Sequence, residues 1–397
     1  MNSHSRRVCV IISANKEFVI MKGVAKTTLM VHLSRLEDPR TGQNTRHKFI
    51  EVLFIAVCAV ISGCECWTEI EDYGQAKEQW LRGFLDLEGG IPSHDTFRRL
   101  FCILDFESFQ RVFIDWTQEV KESLGIEKDQ ICVDGKTLRG SFNRSKSIQA
   151  LPRVNAWSTG ASMSLGQCLQ RRNEITAIPE LLDLLNLRGC LVSIDAMGCQ
   201  TAIAQKVIEK KGDYLLAVKE NQKGLYEATE ELFRRSSTRE KNKLPQSEHT
   251  EKKENVHGRY ESRCCRVIYL EKEVGFFPKE DWPEAHTLIR IFSERKIRST
   301  AVTSTETRYY ISSTKKSAKE FNEKVRDHIE NKLQWSLDVS MNKDGDKKWA
   351  EESAKNFSLL RQMALNLLKK EPTKKSIKRK QKMAALDNSL PNGGFVY

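Results

Sequence analysis

The chain has 397 residues, 39% of them hydrophobic, and a formal net charge of +12 with a pI of about 9.1. That is enough apolar material for two or three packed domains, which excludes a disordered or fibrous chain. The cationic excess points to a polyanion, most simply nucleic acid, as partner.

The 11 cysteines form neither a zinc pattern nor a disulfide framework. Cys64 and Cys66 make a C-x-C, Cys264 and Cys265 are adjacent, and no paired C-x-x-C occurs. Most of them read as small buried residues of a reduced, cytoplasmic protein. The longest apolar run, VLFIAVCAVI at 52–61, falls short of the ~20 residues a bilayer requires, and no secretory signal is visible. No membrane association is expected.

Residues 1–28 carry no usable pattern and read as an irregular extension. Residues 29–125 read as a helical domain. HKFIEVLFIAVCAVISG ends at Gly63, suited to a helix stop. WTEIEDYGQAKEQWLRGFL is amphipathic. IPSHDTFRRLFCIL sets Arg98 and Arg99 on a short helix, which fits a plain helical bundle better than a helix-turn-helix.

The texture changes for a domain spanning 126–370. QICVDGKTLRG is a strand through Asp134, and ALPRVNAWS and ASMSLGQC are two more around a turn at Gly160. ITAIPELLDLLNLRG is a helix with Pro179 in its first turn and Gly189 at its stop. CLVSID is a strand, TAIAQKVIEKKG a helix and DYLLAVK a strand. This is the element order of an RNase H-like fold, a mixed sheet flanked by helices, α+β or α/β in class. A polar detour over about 220–305 follows, with a helix near 224–235 and the strand-like pieces VHGRYESRCCRVIYL and HTLIRIF. SAKEFNEKVRDHIENKLQW then resumes as a helix, opened by the capping box Ser317/Glu320 and striped by Phe321, Val325, Ile329 and Leu333. NFSLLRQMALNLLKK is a last amphipathic helix. KKEPTKKSIKRKQK, 369–382, holds eight basic residues and one acidic one and leads into a basic tail, 371–397. Solvated tail and phosphate contact are both open readings of it.

Two strands thus end in aspartate, Asp134 and Asp195. In this element order they lie adjacent and parallel, with both carboxylates at one edge, and Glu330 flanks the apolar stripe of a helix that reaches that edge. Three hard oxygen ligands suit Mg²⁺ or Mn²⁺, and two ions ~3.5–4 Å apart suit phosphodiester cleavage. Each residue also has a plain reading. Asp134-Gly135 is a hairpin-turn pair, Asp195 a helix cap, and Glu330 a solvated charge. Spacing alone leaves these open.

From about residue 32 to 390 the chain resembles the H-repeat-associated insertion-sequence DDE transposases found with Rhs elements. HLSRLEDPR, RHKFIEVLFIAVCAVISG and GIPSHDTFRRLF resemble that family's N-terminal associated domain. VDGKTLRGS, NEITAIPELLDLL, IDAMGCQ, GDYLLAVKENQ, HGRYESR, RYYISS and IENKLQWSLDVSMNKD resemble its catalytic domain. The resemblance implies that Asp134, Asp195 and Glu330 are the catalytic, metal-holding triad. It also implies that residues 220–305 are the β-rich insertion. It singles out Lys136, Arg139, Lys219, Asn221, Gln222, His257, Arg259 and Arg308 for contacts to DNA, with Arg308 placed just before a strand. Glu261 shares a strand face with His257 and Arg259. Surface ion pairs, a helix cap at 219–222 and a cross-strand salt bridge at Glu261 stay open beside those roles.

DHIEN stands two residues shorter than the family's H-W-x-I-E-N, and on a helix two residues rotate everything upstream by about 200°. The expected function is metal-dependent cleavage and strand transfer of an element, on double-stranded DNA, by a cytoplasmic, nucleoid-associated homodimer. A DNA-binding remnant without catalysis and a metal-dependent nuclease without strand transfer remain alternatives.

Overall fold

The computed structural model describes residues 9–12, 18–22, 25–27, 29–42, 45–137, 152–169, 174–236, 245–256, 259–270, 277–297, 302–329 and 351–386. In chain order, the short strands β1 (Cys9–Ile12), β2 (Phe18–Lys22) and β3 (Ala25–Thr27) come first. The helices α1 (Leu29–Leu33), α2 (Phe49–Ile61), α3 (Trp67–Ala76), α4 (Glu78–Leu81), α5 (His94–Ile103) and α6 (Phe106–Ser123) follow. Next are β4 (Gln130–Thr137), β5 (Pro152–Ser158), β6 (Met163–Leu169), α7 (Glu174–Leu184), β7 (Leu191–Ile194), α8 (Thr201–Glu209) and β8 (Asp213–Val218). Then come α9 (Lys223–Ser236), β9 (Gln246–Val256), β10 (Arg259–Tyr269), β11 (Thr287–Ile297) and β12 (Thr303–Ser312), and last α10 (Ala318–Ile329), α11 (Glu351–Lys370) and α12 (Ile377–Leu386). From β4 to β8 the order of elements is the one read from the sequence.

Contacts divide the chain into two compact units. The first comprises Met1–Ile126, Lys136–Arg171 and Lys332–Tyr397 and is mostly helical. Its β1–β3 form an antiparallel meander where the sequence shows no pattern. Within it α2 is buried from Glu51 to Ile61. The helix stops at Gly63, whose φ is +98°. The Cys64 N–H donates to Ala59 and the Gly63 N–H to Val60, which together make the Schellman pairing that only a residue at ease with positive φ allows.

α11 departs from its amphipathic appearance, for residues 356–368 are all buried. Several of its polar side chains find partners inside, although the Asn356 Oδ1 and the Ser353 hydroxyl do not. Asn356 donates to the carbonyls of Phe101 and Leu104 at 3.0 and 2.8 Å, closing the end of α5. Asn366 accepts from the Ser164 N–H at 2.7 Å and donates to the Ser164 carbonyl at 2.8 Å. Part of the basic run also turns inward. Lys380 on α12 is buried, with Nζ 2.9 Å from the Leu368 carbonyl and 3.1 Å from the Glu371 carboxylate, so this charge is spent within the fold.

The second unit, Glu127–Gly135 and Arg172–Asn331, carries strands in the order β4-β7-β8-β12-β11-β10-β9. β4, β7 and β8 are parallel; β8, β12, β11, β10 and β9 are successively antiparallel. Ile131, Val133, Val192, Ile194, Leu215 and Leu216 are at most 1% exposed, as parallel strands covered on both faces require. The strand β4 continues through Asp134-Gly135, so the hairpin-turn reading of that pair does not apply. Pro179 sits inside α7, not in its first turn. There it removes the bond its own N–H would have made, and its ring crowds the carbonyl four residues back. Arg308 lies within β12, because pairing with β11 starts that strand at Thr303.

α10 packs across the sheet. The Ser317 N–H donates to the Glu320 carboxylate at 3.0 Å and the Glu320 N–H to the Ser317 hydroxyl at 3.3 Å, which realises the capping box. Phe321 and Val325 enter a core with Leu215, Val267, Ile289, Ile291 and Tyr310. Among the described residues no helix is long and apolar enough to cross a membrane.

Phe321 is 0% exposed. Phe321→Ala removes its ring from the core and is expected to lower the unfolding free energy by about 3–5 kcal/mol. Denaturant titration checks this as a drop in midpoint at constant slope.

Candidate active site

The parallel register that pairs Val133 with Ile194 makes the next residue of each strand Asp134 and Asp195. Adjacent strands run about 4.8 Å apart, and both aspartates line one cavity of about 870 Å³. Each is half-buried. Asp195 also starts the 3-10 turn Ala196–Gly198, where Oδ1 accepts from the Gly198 N–H at 3.4 Å. The capping reading is therefore realised with one oxygen. Glu330 lies outside the described residues. The two residues before it, His328 and Ile329, line the same cavity.

Lys219 is exposed on the cavity wall. Asn221 also lines it, yet its Nδ2 donates to the Ala196 carbonyl at 2.7 Å. The Gln222 amide donates to the Cys199 carbonyl at 2.9 Å and the Gln200 Oε1 at 3.1 Å. Both amides thus brace the loop that follows Asp195. Arg308 lines the cavity and is held by both Glu306 oxygens at 2.7 and 2.9 Å. Arg139 and His257 lie outside the described residues, as do the side chains of Lys136 and Arg259. Residues 259 and 261 of β10 pair with Ile297 and Arg295 of β11 in an unbroken register. The Glu261 carboxylate accepts from Nε of Arg295, its partner across the strands, at 3.0 Å, so the cross-strand salt bridge is formed.

Sequence reasoning missed several neighbours. The Gln130 Nε2 donates to the Ser193 hydroxyl at 3.0 Å and to the Lys324 carbonyl at 2.8 Å. The same hydroxyl lies 3.1 Å from Nδ1 of His328. A polar chain thus joins β4, β7 and α10 beneath the cavity. Its trace in the sequence is one polar residue in each of two apolar strands, QICV and LVSI. Burial pushes the His328 pKa down and Arg308 adds to that, while Asp195 opposes both. Tyr226 meets Tyr309 edge-on at 5.5 Å, and Tyr309 stacks on Phe233 at 5.8 Å, so one wall is aromatic. Met197 and Ile329, 50% and 44% exposed, stand on the same cavity.

Among the described residues no group of three or more His, Cys, Asp or Glu is placed to hold a metal ion. The two aspartates are nevertheless carboxylate donors facing one space, the donor type that Mg²⁺ and Mn²⁺ accept. Lys219 and Arg308 offer positive charge on the same wall. Glu220 and Glu306 line it too, so the cavity is net negative and suits a cation first, with a phosphate following only once that charge is met.

Gly198 explains why the turn after Asp195 can be so close. A Cβ there would meet the Cγ2 of Ile194 well inside contact distance and the Cδ1 of Ile178 at 2.9 Å.

The family described as "Transposase DDE domain" matches residues 126–367, and "DDE_Tnp_1-associated" matches residues 30–117. The chain is 41% identical over 366 residues to "Putative transposase YncI" of Escherichia coli O157:H7, covering 91% of this chain and 92% of that protein. It is 39% identical over 368 residues to "H repeat-associated putative transposase YhhI" of Escherichia coli K12, covering 91% and 96%. A chain of the cryo-EM structure of the piggyBac transposase synaptic complex with hairpin DNA aligns at a TM-score of 0.37 and 12% identity, covering 89% of this chain and 74% of that one.

Gly198→Ala is expected to destabilise the protein by about 1–3 kcal/mol, because the methyl forces Ile194 and the turn apart; thermal melting reads it. A second expectation concerns pH. Ordinary histidine titrates near 6.5, and the His328 value is lowered by folding. The unfolded chain therefore binds more protons, so this residue makes stability rise with pH through the histidine range and fall on acidification. Urea unfolding from about pH 5 to 8 should show a shallower dependence in His328→Gln than in the wild type.

Proposed function

Because the chain belongs to the transposase family that carries the DDE domain, we propose that it cuts the ends of an insertion-sequence element and joins them to target DNA. The observation that carries this reading is the placement of Asp134 and Asp195 side by side on one cavity. In this reading residues 126–370 form an RNase H-like catalytic domain, residues 220–305 are its insertion, and the helices of 29–125 form a separate domain. Asp134, Asp195 and Glu330 would hold Mg²⁺ or Mn²⁺. When bound, the ions supply the positive charge that stabilises the attacking and leaving oxygens of the phosphodiester.

The protein's own groups do the remaining work, which is mostly positioning. Lys219 and Arg308 meet the non-bridging oxygens of the phosphate being cut. The Arg308–Glu306 pair is partly exposed, at 36% and 56% of the side chains, and such pairs contribute little. Arg308 can therefore exchange Glu306 for a phosphate at small cost. The bracing by Asn221 and Gln222 holds the loop after Asp195, and the Gln130–Ser193–His328 chain holds the end of α10 that leads into Glu330. The aromatic wall and Met197 give the sugar and base of the terminal nucleotide an apolar seat. Double-stranded DNA is the partner, and a homodimer would bring two ends together.

The test is an assay on DNA carrying a source element, with Mg²⁺, Mn²⁺ or EDTA. Asp134→Asn and Asp195→Asn should each reduce cleavage at least about 10³-fold, since they act on charge developed in the transition state, while DNA binding changes little. Cut 3′ ends recovered covalently joined to a second DNA establish strand transfer. Cleavage without joining leaves a nuclease, and salt-sensitive binding without any cleavage leaves a DNA-binding remnant.

A further inference from the structure

One flank of α10 is tied to β9, the last strand in the sheet order, which falls within the 220–305 stretch. The Ala318 N–H donates to the Ser247 hydroxyl at 3.4 Å. The Asn322 Nδ2 donates to one oxygen of the Glu251 carboxylate at 2.9 Å. Arg326 Nη1 donates to the other oxygen at 2.9 Å, and its Nη2 closes the fork. Residues 318, 322 and 326 stand one turn apart on a single flank of the helix. Three successive turns of α10 therefore meet β9 along one line, and position 330 is the next in that series. Ser247 and Glu251 are four residues apart, so they share a face of β9.

The sheet offers Glu251 a nearer partner that it does not take. Arg263 stands directly opposite on β10, and opposite charges in such cross-strand positions attract. The carboxylate turns to the helix instead, and Arg263 Nε stays buried with no hydrogen-bond partner. A buried donor left unmatched costs free energy, so the bond to α10 is made at the expense of the sheet. The clamp is also sheltered. Asn322 is buried, and the side chains of Arg326 and Glu251 are only 20% and 27% exposed. An arginine fork on a carboxylate fixes direction as well as distance.

We propose that Glu251 is a positioning residue for Glu330, acting through Asn322 and Arg326 to set the rotation of α10 about its own axis. Phe321 and Val325 decide which face of the helix enters the core, but apolar contact is non-directional and tolerates some rotation. Hydrogen bonds of defined angle do not. One residue on a helix corresponds to about 100°, so a modest rotation is enough to carry position 330 away from the aspartates. Gln130 holds the same helix from β4 through the Lys324 carbonyl. β4 and β9 are the two outer strands of this unit, so α10 is anchored at both ends of its sheet. The inference rests on the reading of Glu330 as a metal ligand, and it gives residues 220–305 a part in that site that needs no contact with DNA.

The experiment measures Mn²⁺ binding to the full chain by electron paramagnetic resonance titration, without DNA. Glu251→Ala should weaken Mn²⁺ binding about 10- to 100-fold, the range for groups that orient a metal ligand. In the cleavage assay it should lower kcat at an unchanged KM for the duplex, since no DNA contact is lost. Glu251→Gln keeps an acceptor for Asn322 and should lose less; it carries the test if melting shows the alanine variant unfolded. Glu248→Ala breaks the pair with Arg266 on the other face of β9 and should leave Mn²⁺ affinity unchanged. Wild-type Mn²⁺ affinity in Glu251→Ala overturns the proposal. An equal loss in Glu248→Ala overturns it too, because that would mean a general loosening of the sheet. Glu330→Gln separates the proposal from the reading it rests on. A loss there with none in Glu251→Ala sinks only the positioning role. No loss there, with binding abolished in Asp195→Asn, sinks the reading of Glu330 as a ligand and the positioning role with it. A wild type that binds no Mn²⁺ sinks both.

Discussion

The second unit depends on one register, the parallel pairing of Gln130–Val133 with Leu191–Ile194. Side chains on strands alternate with a period of two, so a slip of one residue would turn every apolar side chain of one strand to the wrong face. Both faces here are covered, and strands with almost no accessible side chain hold the register firmly. The two aspartates are passengers of that pairing. Their neighbourhood is set by the hydrophobic effect acting on residues that never touch the cavity.

A register set by apolar packing still leaves open what surrounds the carboxylates. Three small devices decide it. Gly198 lets the turn after Asp195 lie against Ile194 and Ile178. Asn221 and Gln222, on the turn after β8, tie that loop down with donors to the Ala196 and Cys199 carbonyls. Gln130 and Ser193 place a hydrogen bond in an interior that is otherwise apolar, although the Gln130 Oε1 itself finds no partner there. The last device also fixes the angle of α10, because Gln130 bonds directly to the Lys324 carbonyl.

The elements were legible where a local rule acts alone. Gly63 announced the end of α2, Ser317 and Glu320 the start of α10, and the apolar runs around Asp134 and Asp195 the strands that carry them. Legibility failed where the deciding partner is remote in the chain. Nothing near Asn356 or Asn366 tells that their amides will meet α5 and β6 in the core, so α11 looks amphipathic and is buried. Lys380 reads as one more solvated charge until Glu371 and the Leu368 carbonyl take it. At the site, Asp134, Asp195, Lys219 and Arg308 could be named from motifs, whereas His328 and the tyrosines could not. Their place on the cavity follows from strand order and from the crossing of α10, which no spacing encodes.

The hydrogen bond from Gln130 to Lys324 spans 194 residues of chain. A growing chain makes β4 early and α10 late, with the long antiparallel ribbon of β9–β12 in between. At about 5–20 residues per second, translation separates the two by on the order of ten to forty seconds. For that interval Asp134 exists without the helix that leads to Glu330, and contacts of such sequence separation are slow to close even afterwards. A nascent or truncated chain thus carries both aspartates yet not the completed cavity. In temporal terms, the groups at the sheet edge come together only once nearly the whole polypeptide has been made.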